Sequence, residues 1–225
     1  MERHGESSKP AMIRSAHTEI FVDYFQRQFW GNKTGSSGPN SDPHLTTVLR
    51  RNLRELLEEW KITSLLDAGC GDANLFRALV KEENFQNRAL TYMGYECVPD
   101  LTLSNTAFFR DQNKGFNPSF KTVDVVTEPL PKVDLILCRD VVHYLPNSFI
   151  AKFLENCRRS GSKYLLVTHN IYSESSANSE TDVGVFRPVN LTQKPFGWTA
   201  PAFTMDEDVF GKQLALFELE RPFHD

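Results

Sequence analysis

The sequence has 225 residues, 40% of them hydrophobic and 17 of them phenylalanine, which suits one domain with a substantial core and is short for two. Its formal net charge of -4 offers no broad basic field for a phosphate backbone, so a nucleic acid is a disfavoured partner. The apolar runs are only a few residues long, whereas a membrane-spanning helix needs about 20, and no secretory signal is visible, so we expect a cytoplasmic protein without a membrane segment.

The N-terminal part of the sequence predicts a tail, two helices and a loop. Residues 1–15 are polar without periodicity, and we expect them to be disordered. Apolar residues at helical spacing predict a helix over residues 18–30, and the glycine-rich stretch 31–41 is either a plain linker or a lid. An aspartate and a proline, a pair typical of a helix start, open a second predicted helix at residues 42–61.

Apolar strand-like runs then alternate with helical patterns, which predicts a parallel sheet with helices on both faces. The C-terminal part differs, because a loop-rich insert at residues 171–201 precedes two strand-like runs, 202–205 and 213–219. These two runs predict a terminal antiparallel hairpin. In the alternating region, the predicted strands are 63–68, 90–96, 120–125, 133–138 and 164–168, and the predicted helices are 73–81, 99–108 and 147–158.

The clearest chemical signal is a glycine turn after the first predicted strand, where Asp67 precedes Gly69, Cys70 and Gly71. Ligands of doubly wound sheets bind outside the carboxyl ends of the strands. Glycines at that place allow a tight turn and let a ligand reach main-chain N–H groups at a helix start. The turn therefore predicts a ligand site.

Two carboxylates follow the next two strands at the same edge of the predicted sheet. Glu96 ends the second strand, where a carboxylate can accept hydrogen bonds from both hydroxyls of a ribose. Asp124 lies at the end of the third strand, beside Val125, and its carboxylate can accept a hydrogen bond from an exocyclic adenine amine. Together they predict a cofactor that contains adenine and ribose.

Residues 65–168 resemble the class I S-adenosylmethionine-dependent methyltransferases. The first motif of that family, an acidic residue and then Gly-x-Gly-x-Gly, matches Asp67, Gly69 and Gly71 and departs at Ala73. The departure is mild, because the third small residue faces helix packing. The resemblance implies a doubly wound α/β fold with a seven-stranded, mostly parallel sheet and an antiparallel last strand.

The same resemblance implies S-adenosylmethionine as the cofactor and S-adenosylhomocysteine as its product. Asp67 would hold the amino end of the cofactor, Glu96 the ribose and Asp124 the adenine. The implied reaction transfers a methyl group to an oxygen, nitrogen or sulfur atom of an unidentified small molecule or protein side chain. Small side chains at or just after strand ends are expected near the cofactor; they are Cys70, Cys97, Val125 and Cys138.

We expect residues 16–225 to form one methyltransferase domain after the tail. Its expected parts are an N-terminal helical extension or lid at 16–61, a cofactor-binding core at 62–170, an acceptor-side insert at 171–201 and the hairpin at 202–225. The cysteines show no spacing typical of metal ligands, so we expect reduced thiols and no metal.

Three alternatives stay open at this point. The glycines can form a packing turn in an α/β fold without a cofactor, or the chain can be a non-catalytic S-adenosylmethionine-binding module that acts through a protein partner. An NAD-dependent oxidoreductase would share the architecture, but its Gly-x-Gly-x-x-Gly motif needs a small residue where this chain has Asn74. The oligomeric state is not indicated.

Polar side chains after the fourth predicted strand are candidates for acceptor chemistry. Asp140 and His143 lie three residues apart and would face together in a helical turn, so either is a candidate general base. The alternative for His143 is a structural role. Arg139 is a candidate clamp for a carboxylate or phosphate, or else part of a salt bridge. His169 is a second candidate base after the fifth strand.

The insert at residues 171–201 is long for a loop of a compact domain, and such loops are usually functional or disordered. We expect a lid over the acceptor, opposite a wall made by Trp30 and the loop 31–41. A small acceptor would need a closed pocket under this lid, and a protein side chain would need an open groove. Further candidates for substrate contact are Arg187, Asn190 and Trp198, with core packing as the alternative for the aromatic rings.

Overall fold

The computed structural model describes residues 15–31, 35–82, 85, 90–110, 118–171, 177–209 and 211–219. The predicted disordered tail, apart from Ser15, lies outside the described residues. So do residues 172–176, with which the insert begins.

The strands form one seven-stranded sheet in the order β3-β2-β1-β4-β5-β7-β6. Neighbours among the first five strands are parallel, whereas β7 runs antiparallel to both β5 and β6. The sheet confirms the predicted fold class and the predicted C-terminal hairpin. The strands are β1 (Ser64–Ala68), β2 (Thr91–Glu96), β3 (Ser119–Thr122), β4 (Leu135–Cys138), β5 (Tyr164–Asn170), β6 (Phe203–Val209) and β7 (Lys212–Glu218).

Helices cover both faces of this sheet, as the alternating pattern predicts. They are α1 (Ala16–Gln26), α2 (Thr47–Glu59), α3 (Asn74–Leu79), α4 (Pro99–Arg110) and α5 (Asn147–Arg159), with short 3₁₀ turns at Pro39–Ser41 and Val142–Tyr144. None of the described helices is long and apolar enough to cross a membrane.

Strand side chains alternate between two apolar layers, because successive residues of a strand point to opposite faces. Leu65 packs with Phe76 in the layer under α2 and α3, and its neighbour Leu66 packs with Phe153 in the layer under α5. All four side chains are fully buried. A buried side chain of this size contributes about 1.5–3 kcal/mol through the hydrophobic effect, so both layers hold the sheet in place.

Two element boundaries differ from the prediction because local turns intervene. The second helix begins at Thr47 rather than at residue 42, since the Asp42 carboxylate and carbonyl oxygens accept the His44 and Thr46 amides in a preceding turn. Strand β3 ends at Thr122 rather than at residue 125. The chain turns after it, with the Thr127 amide donating to the Asp124 carbonyl oxygen.

Strand β5 is two residues longer than predicted, because β7 pairs with it to its end. His169 lies opposite Gln213, and Asn170 lies opposite Lys212. Polar side chains that the sequence places after the strand therefore lie inside the sheet. Beside β4, in contrast, the strand order reverses direction between β1 and β4, which leaves a crevice at their carboxyl ends.

Candidate functional site

A cleft opens at this crevice, and α1 and residues 36–41 form its roof. It brings together most of the predicted site residues, from the ends of β1 to β4 and from the N-terminal part of the chain. The predicted site residues that line it are Trp30, Asp67, Gly69, Cys70, Gly71, Glu96, Cys97, Asp124, Val125, Arg139 and Asp140.

The glycine turn after β1 requires glycine at its first position. Gly69 has a φ of +80°, and a Cβ atom there would lie 2.4 Å from a methyl carbon of Val141. The Gly69 amide donates to the Tyr95 carbonyl oxygen at 2.8 Å, which fixes the turn against β2. The roof docks on the same turn, because the Asp72 amide donates to the Ser37 hydroxyl oxygen at 2.8 Å.

Glu96 presents a buried carboxylate to the cleft. Its Oε2 accepts the Gly71 amide at 2.9 Å, and its Oε1 accepts the Val98 amide at 3.0 Å. Burial raises the pKa of this carboxyl, while the two amides oppose the rise. Oε2 keeps a second lone pair, whereas Oε1 also accepts a weak hydrogen bond from the Cys97 thiol at 3.4 Å. The group can accept two hydroxyl hydrogens from a ribose if one of the hydroxyls replaces the thiol on Oε1.

Asp67 is held from inside the core by Tyr92, whose hydroxyl donates to Oδ2 at 2.8 Å. Burial raises the pKa of Asp67 to about 7, although the Tyr92 hydrogen bond lowers it. A ligand ammonium beside this carboxylate would favour its ionised form. Tyr92 is not among the predicted site residues, although a phenol at a buried strand position needs a hydrogen-bond partner.

Asp124 connects the cofactor side of the cleft to the start of α1. Its Oδ2 lies 2.9 Å from His17 Nε2 and accepts the Ser15 hydroxyl at 3.0 Å. Oδ1 accepts the Val126 amide at 3.1 Å and keeps a lone pair for an adenine amine. Burial alone would raise the pKa of Asp124, but Thr127 and His17 hold it below its ordinary value.

Four charged side chains form a network at the β4 end of the cleft. Lys212 Nζ lies 2.8 and 2.9 Å from the two Asp140 oxygens and 2.8 Å from Glu207 Oε2. Arg139 donates to both Glu207 oxygens and to the Asn40 carbonyl oxygen. Nothing in the local sequence indicates Lys212, because its position opposite Asp140 depends on the β5–β7 register.

This network changes the roles that the sequence suggested for Asp140 and Arg139. Burial would raise the pKa of the Asp140 carboxyl, but Arg139 and Lys212 outweigh it and hold the pKa below its ordinary value. A carboxylate with a lowered pKa is a poor general base near neutral pH. Arg139 is engaged by Glu207, so it is not available as a clamp for an acidic acceptor.

His143 lies behind the cleft wall rather than on it. Its side chain is 1% exposed, and Nδ1 lies 4.0 Å from Asp140 Oδ1, so the predicted pair does face together. Burial lowers the pKa of His143 to about 4, which keeps the ring neutral. Because the ring is closed off from the cleft, we no longer assign it a direct role as general base.

Two other predicted site residues point into packed layers. Cys138 is fully buried among the α5-side apolar residues, because the alternation along β4 turns it away from the cleft. His169 is buried in β5, and its Nδ1 accepts the Leu191 amide at 3.3 Å. Burial lowers the pKa of His169 to about 4, and this side chain does not line the cleft either.

The described part of the insert, residues 177–201, packs into the α5-side layer and against the back of the cleft wall instead of covering the cleft. The Trp198 ring lies 5.1 Å from the Phe217 ring in the α5-side layer, and Asn190 accepts the Thr192 amide in a local turn. None of residues 177–201 lines the cleft. The predicted lid is therefore replaced by a packed segment, and Arg187, Asn190 and Trp198 are not retained as substrate contacts.

This segment supports the cleft wall from behind. Backbone amides of Gly184 and Arg187 donate to the carbonyl oxygens of Tyr144 and His143 at 2.8 and 3.0 Å. The Arg187 guanidinium donates to the next carbonyl oxygen, of Leu145, at 3.0 Å. Three successive carbonyls of the wall are thus held by one short stretch, and Tyr144 and Leu145 line the cleft.

The sequence matches no protein-family model and no curated protein. Solved structures share the fold at low identity, so they support the architecture alone. The magnesium protoporphyrin IX methyltransferase of Synechocystis PCC 6803, with bound S-adenosylmethionine, has a TM-score of 0.60 and 13% identity over 94% of this chain and 98% of its own.

Two further methyltransferases have the same fold. Human N-acetylserotonin methyltransferase, in complex with S-adenosylmethionine, has a TM-score of 0.55 and 14% identity over 78% of this chain and 53% of its own. The methyltransferase domain of a bacterial Hen1 has a TM-score of 0.56 and 13% identity over 77% of this chain and 99% of its own. The chain therefore has the fold of the class I S-adenosylmethionine-dependent methyltransferases.

Proposed function

We propose that the protein is an S-adenosylmethionine-dependent methyltransferase that acts on an oxygen, nitrogen or sulfur nucleophile. The observation that carries this proposal is the set of carboxylates at or just after successive strand ends around one cleft. Asp67 is the penultimate residue of β1, Glu96 ends β2, and the partly buried Asp124 follows β3. The shared fold with methyltransferases crystallised with S-adenosylmethionine supports the same assignment.

The residues of the cleft fit this cofactor. Glu96 keeps acceptor capacity for two ribose hydroxyls, and Asp67 is a buried acid that a ligand ammonium would neutralise. At the start of α4, Val98 and Leu101 pack with Val22 of α1 in an apolar cluster. Both Val98 and Leu101 also line the cleft, which suits the flat face of an adenine.

The chain itself supplies alignment and exclusion of water. The roof over the cleft is tied down at both ends, by His17 on Asp124 and by Asn40 on Arg139. Phe21 and Phe25 of α1 line the covered part. A covered cleft holds the two reactants in line and removes competing water, which lowers the barrier of a displacement.

When bound, the cofactor supplies a methyl carbon that bonds to a lone pair of the acceptor while the carbon–sulfur bond electrons stay on sulfur, and the acceptor proton passes to solvent. Asp140 is too weak a base to be assigned that proton, because Arg139 and Lys212 hold its pKa below its ordinary value. We assign Asp140 to the acceptance of a hydrogen bond from the acceptor, which orients the nucleophile.

Calorimetric titration tests the cofactor and its site together. S-adenosylmethionine, S-adenosylhomocysteine and NAD are each titrated into the protein, a Glu96→Ala variant and a Glu155→Ala control. Glu155 lies on α5 with a 60% exposed side chain, away from the cleft. We expect both sulfur ligands to bind the protein and the control alike, and the Glu96→Ala variant to bind them at least about tenfold more weakly.

The outcomes separate the open alternatives. Binding of NAD that is lost in Glu96→Ala would favour an oxidoreductase. Binding of the sulfur ligands without methyl transfer to any acceptor in a screen with labelled methyl groups would favour a non-catalytic module. A folded protein that binds none of the three ligands would refute the proposal.

A further inference from the structure

The part of the cleft beyond the cofactor residues has a distinct lining. We name it the acceptor half, defined by Trp30, Asn40, Ser41, Asp140 and Tyr144. The Trp30 and Tyr144 rings lie 5.1 Å apart. If the proposed function holds, the nucleoside and amino-acid ends of the cofactor lie at the ends of β1 to β3, which leaves this half for the acceptor.

No described cation is free to recognise an acid in the acceptor half. Arg139 Nε and Nη2 donate to Glu207 and Asn40 at 2.8–3.0 Å, and Nη1 lies 3.5 Å from Asp140 Oδ2. Lys212 is enclosed by Asp140 and Glu207 at 2.8 Å. The other basic side chain that lines the cleft, His17, is paired with Asp124 at the cofactor end.

Asp140 is therefore the charged group that an acceptor meets. An acidic acceptor group beside it would lose hydration and be repelled by Asp140, and Arg139 and Lys212 would offset this repulsion only partly because both already pair with Asp140 and Glu207. A hydroxyl or an amine, in contrast, can donate a hydrogen bond to the carboxylate. The polar neighbours Asn40 and Ser41 are uncharged, so they do not reverse this preference.

Exposed apolar side chains extend the acceptor half towards the surface. Phe29 and Phe186, which we name the aromatic rim, are 63% and 57% exposed. The Phe29 ring lies 6.0 Å from Trp30, and the Phe186 ring lies 5.8 Å from Tyr144. The rim is thus continuous with the cleft wall, and exposed apolar surface beside a cleft is typical of a ligand-binding groove.

We propose that the methyl acceptor is an apolar molecule that presents a hydroxyl or amine to Asp140, rests its apolar body on the aromatic rim and carries no acidic group near the nucleophile. This proposal rests on the proposed function, and it narrows the acceptor from any nucleophile to one chemical class. We assign the apolar body of the acceptor to the aromatic rim because the rim is continuous with the Trp30 and Tyr144 rings, which line the cleft.

Three probes with one skeleton test the proposal: phenylpropanol, phenylpropylamine and phenylpropanoic acid. Trp30 reports binding at the boundary between cleft and rim, once the other two tryptophans are replaced by phenylalanine in a Trp60→Phe/Trp198→Phe protein. Its fluorescence is titrated with each probe at neutral pH, with and without saturating S-adenosylhomocysteine. We expect the alcohol and the amine to bind at least tenfold more tightly than the acid.

Two variants of this single-tryptophan protein assign the preference to its residues. In Asp140→Asn, the affinity gap between the amine and the acid should shrink to less than threefold. In Phe186→Ser, all three probes should bind more weakly. A matched control is Leu103→Ser, which removes another exposed apolar side chain, 69% exposed, from α4 and should leave the binding of all three probes unchanged.

Several results would overturn the proposal: an acid that binds as tightly as the alcohol, no binding of any probe, or equal behaviour of Phe186→Ser and Leu103→Ser. The proposed function fails separately. If S-adenosylhomocysteine does not bind while the probes follow the expected order, the ligand class of this half stands and the methyltransferase assignment falls.

Discussion

The two halves of the cleft differ in how their residues reach it. In the cofactor half, Asp67 and Glu96 lie at or near the ends of neighbouring parallel strands. In the acceptor half, Trp30 follows α1, Tyr144 belongs to a 3₁₀ turn, and Asp140 is held by a lysine of β7. The parallel sheet positions the carboxylates of the first half, whereas the residues of the second reach it through contacts between distant parts of the chain.

The substitution with the largest expected effect lies in the glycine turn of the cofactor half. Gly69→Ala combines a left-handed backbone with a Cβ atom 2.4 Å from Val141. We expect it to lower the free energy of unfolding by about 3–4 kcal/mol and to abolish binding of S-adenosylhomocysteine. Urea denaturation and calorimetry measure the two effects.

Gly197 provides the matched control for the steric part of that effect. It has a φ of +62°, and a Cβ atom there would meet nothing within 4 Å. Gly197→Ala should therefore cost only the backbone strain, about 1–2 kcal/mol, without loss of cofactor binding. Equal destabilisation by the two substitutions would mean that the close approach of Val141 adds no strain at the turn.

The cofactor half was predictable from the sequence for a physical reason. A strand with two buried faces is a continuous apolar run, and the residues that follow it must lie at the edge of the sheet. Asp67, Glu96 and Asp124 could thus be placed without knowledge of their neighbours. Cys138 is the predicted cofactor residue that does not line the cleft. Successive side chains of β4 point to opposite faces of the sheet, and that of Cys138 points into the α5-side layer.

The acceptor half was less predictable, because its geometry comes from pairing register. His169 was expected at the rim and lies inside the sheet, since β7 extends the pairing along β5. The insert was expected to be a lid, as long polar loops often are, but Val189 and Leu191 anchor it in the core with 0% exposure. The insert holds several other apolar residues, and Val185 and Phe186 among them are 50% and 57% exposed, so apolar character alone does not indicate which residues anchor it.

The next largest effect is expected where the insert supports the cleft wall. Arg187→Met keeps most of the side-chain volume but removes the donors to the Leu145 carbonyl and the Asn147 amide oxygen, at 3.0 and 2.7 Å. Leaving such buried acceptors unsatisfied costs about 1–3 kcal/mol of unfolding free energy. We also expect altered Trp30 fluorescence, because the residue next to Tyr144, whose ring contacts Trp30, loses the hydrogen bond that holds its carbonyl.

Cofactor affinity should stay unchanged in Arg187→Met, because the segment contacts the acceptor wall and not the strand ends of the cofactor half. A suitable control is Arg27→Met, which removes an exposed ion pair to Asp23, with side chains 75% and 45% exposed. That pair is worth only about 0.3–0.5 kcal/mol. If Arg187→Met lowered the affinity for S-adenosylhomocysteine as well as the free energy of unfolding, the two halves of the cleft would not be independent.

The smallest expected effect is a pH dependence confined to the cofactor half. Burial raises the pKa of Asp67 to about 7, so this carboxyl is largely protonated in the free protein at pH values below 7. A ligand ammonium pairs with the ionised form, so binding below pH 7 must first release a proton. Affinity for S-adenosylhomocysteine should therefore fall by about tenfold between pH 8 and pH 6.

Calorimetry at both pH values, in buffers of different ionisation enthalpy, measures the affinity and the released proton. The Asp67→Asn variant should bind more weakly with a much flatter pH profile, and a residual slope would belong to Glu96, whose pKa is also raised by burial. If the Asp67→Asn variant kept the full pH dependence, Asp67 would not be the group that pairs with the ligand ammonium. Alcohol binding in the acceptor half should show no such slope, because Arg139 and Lys212 keep Asp140 ionised across this range.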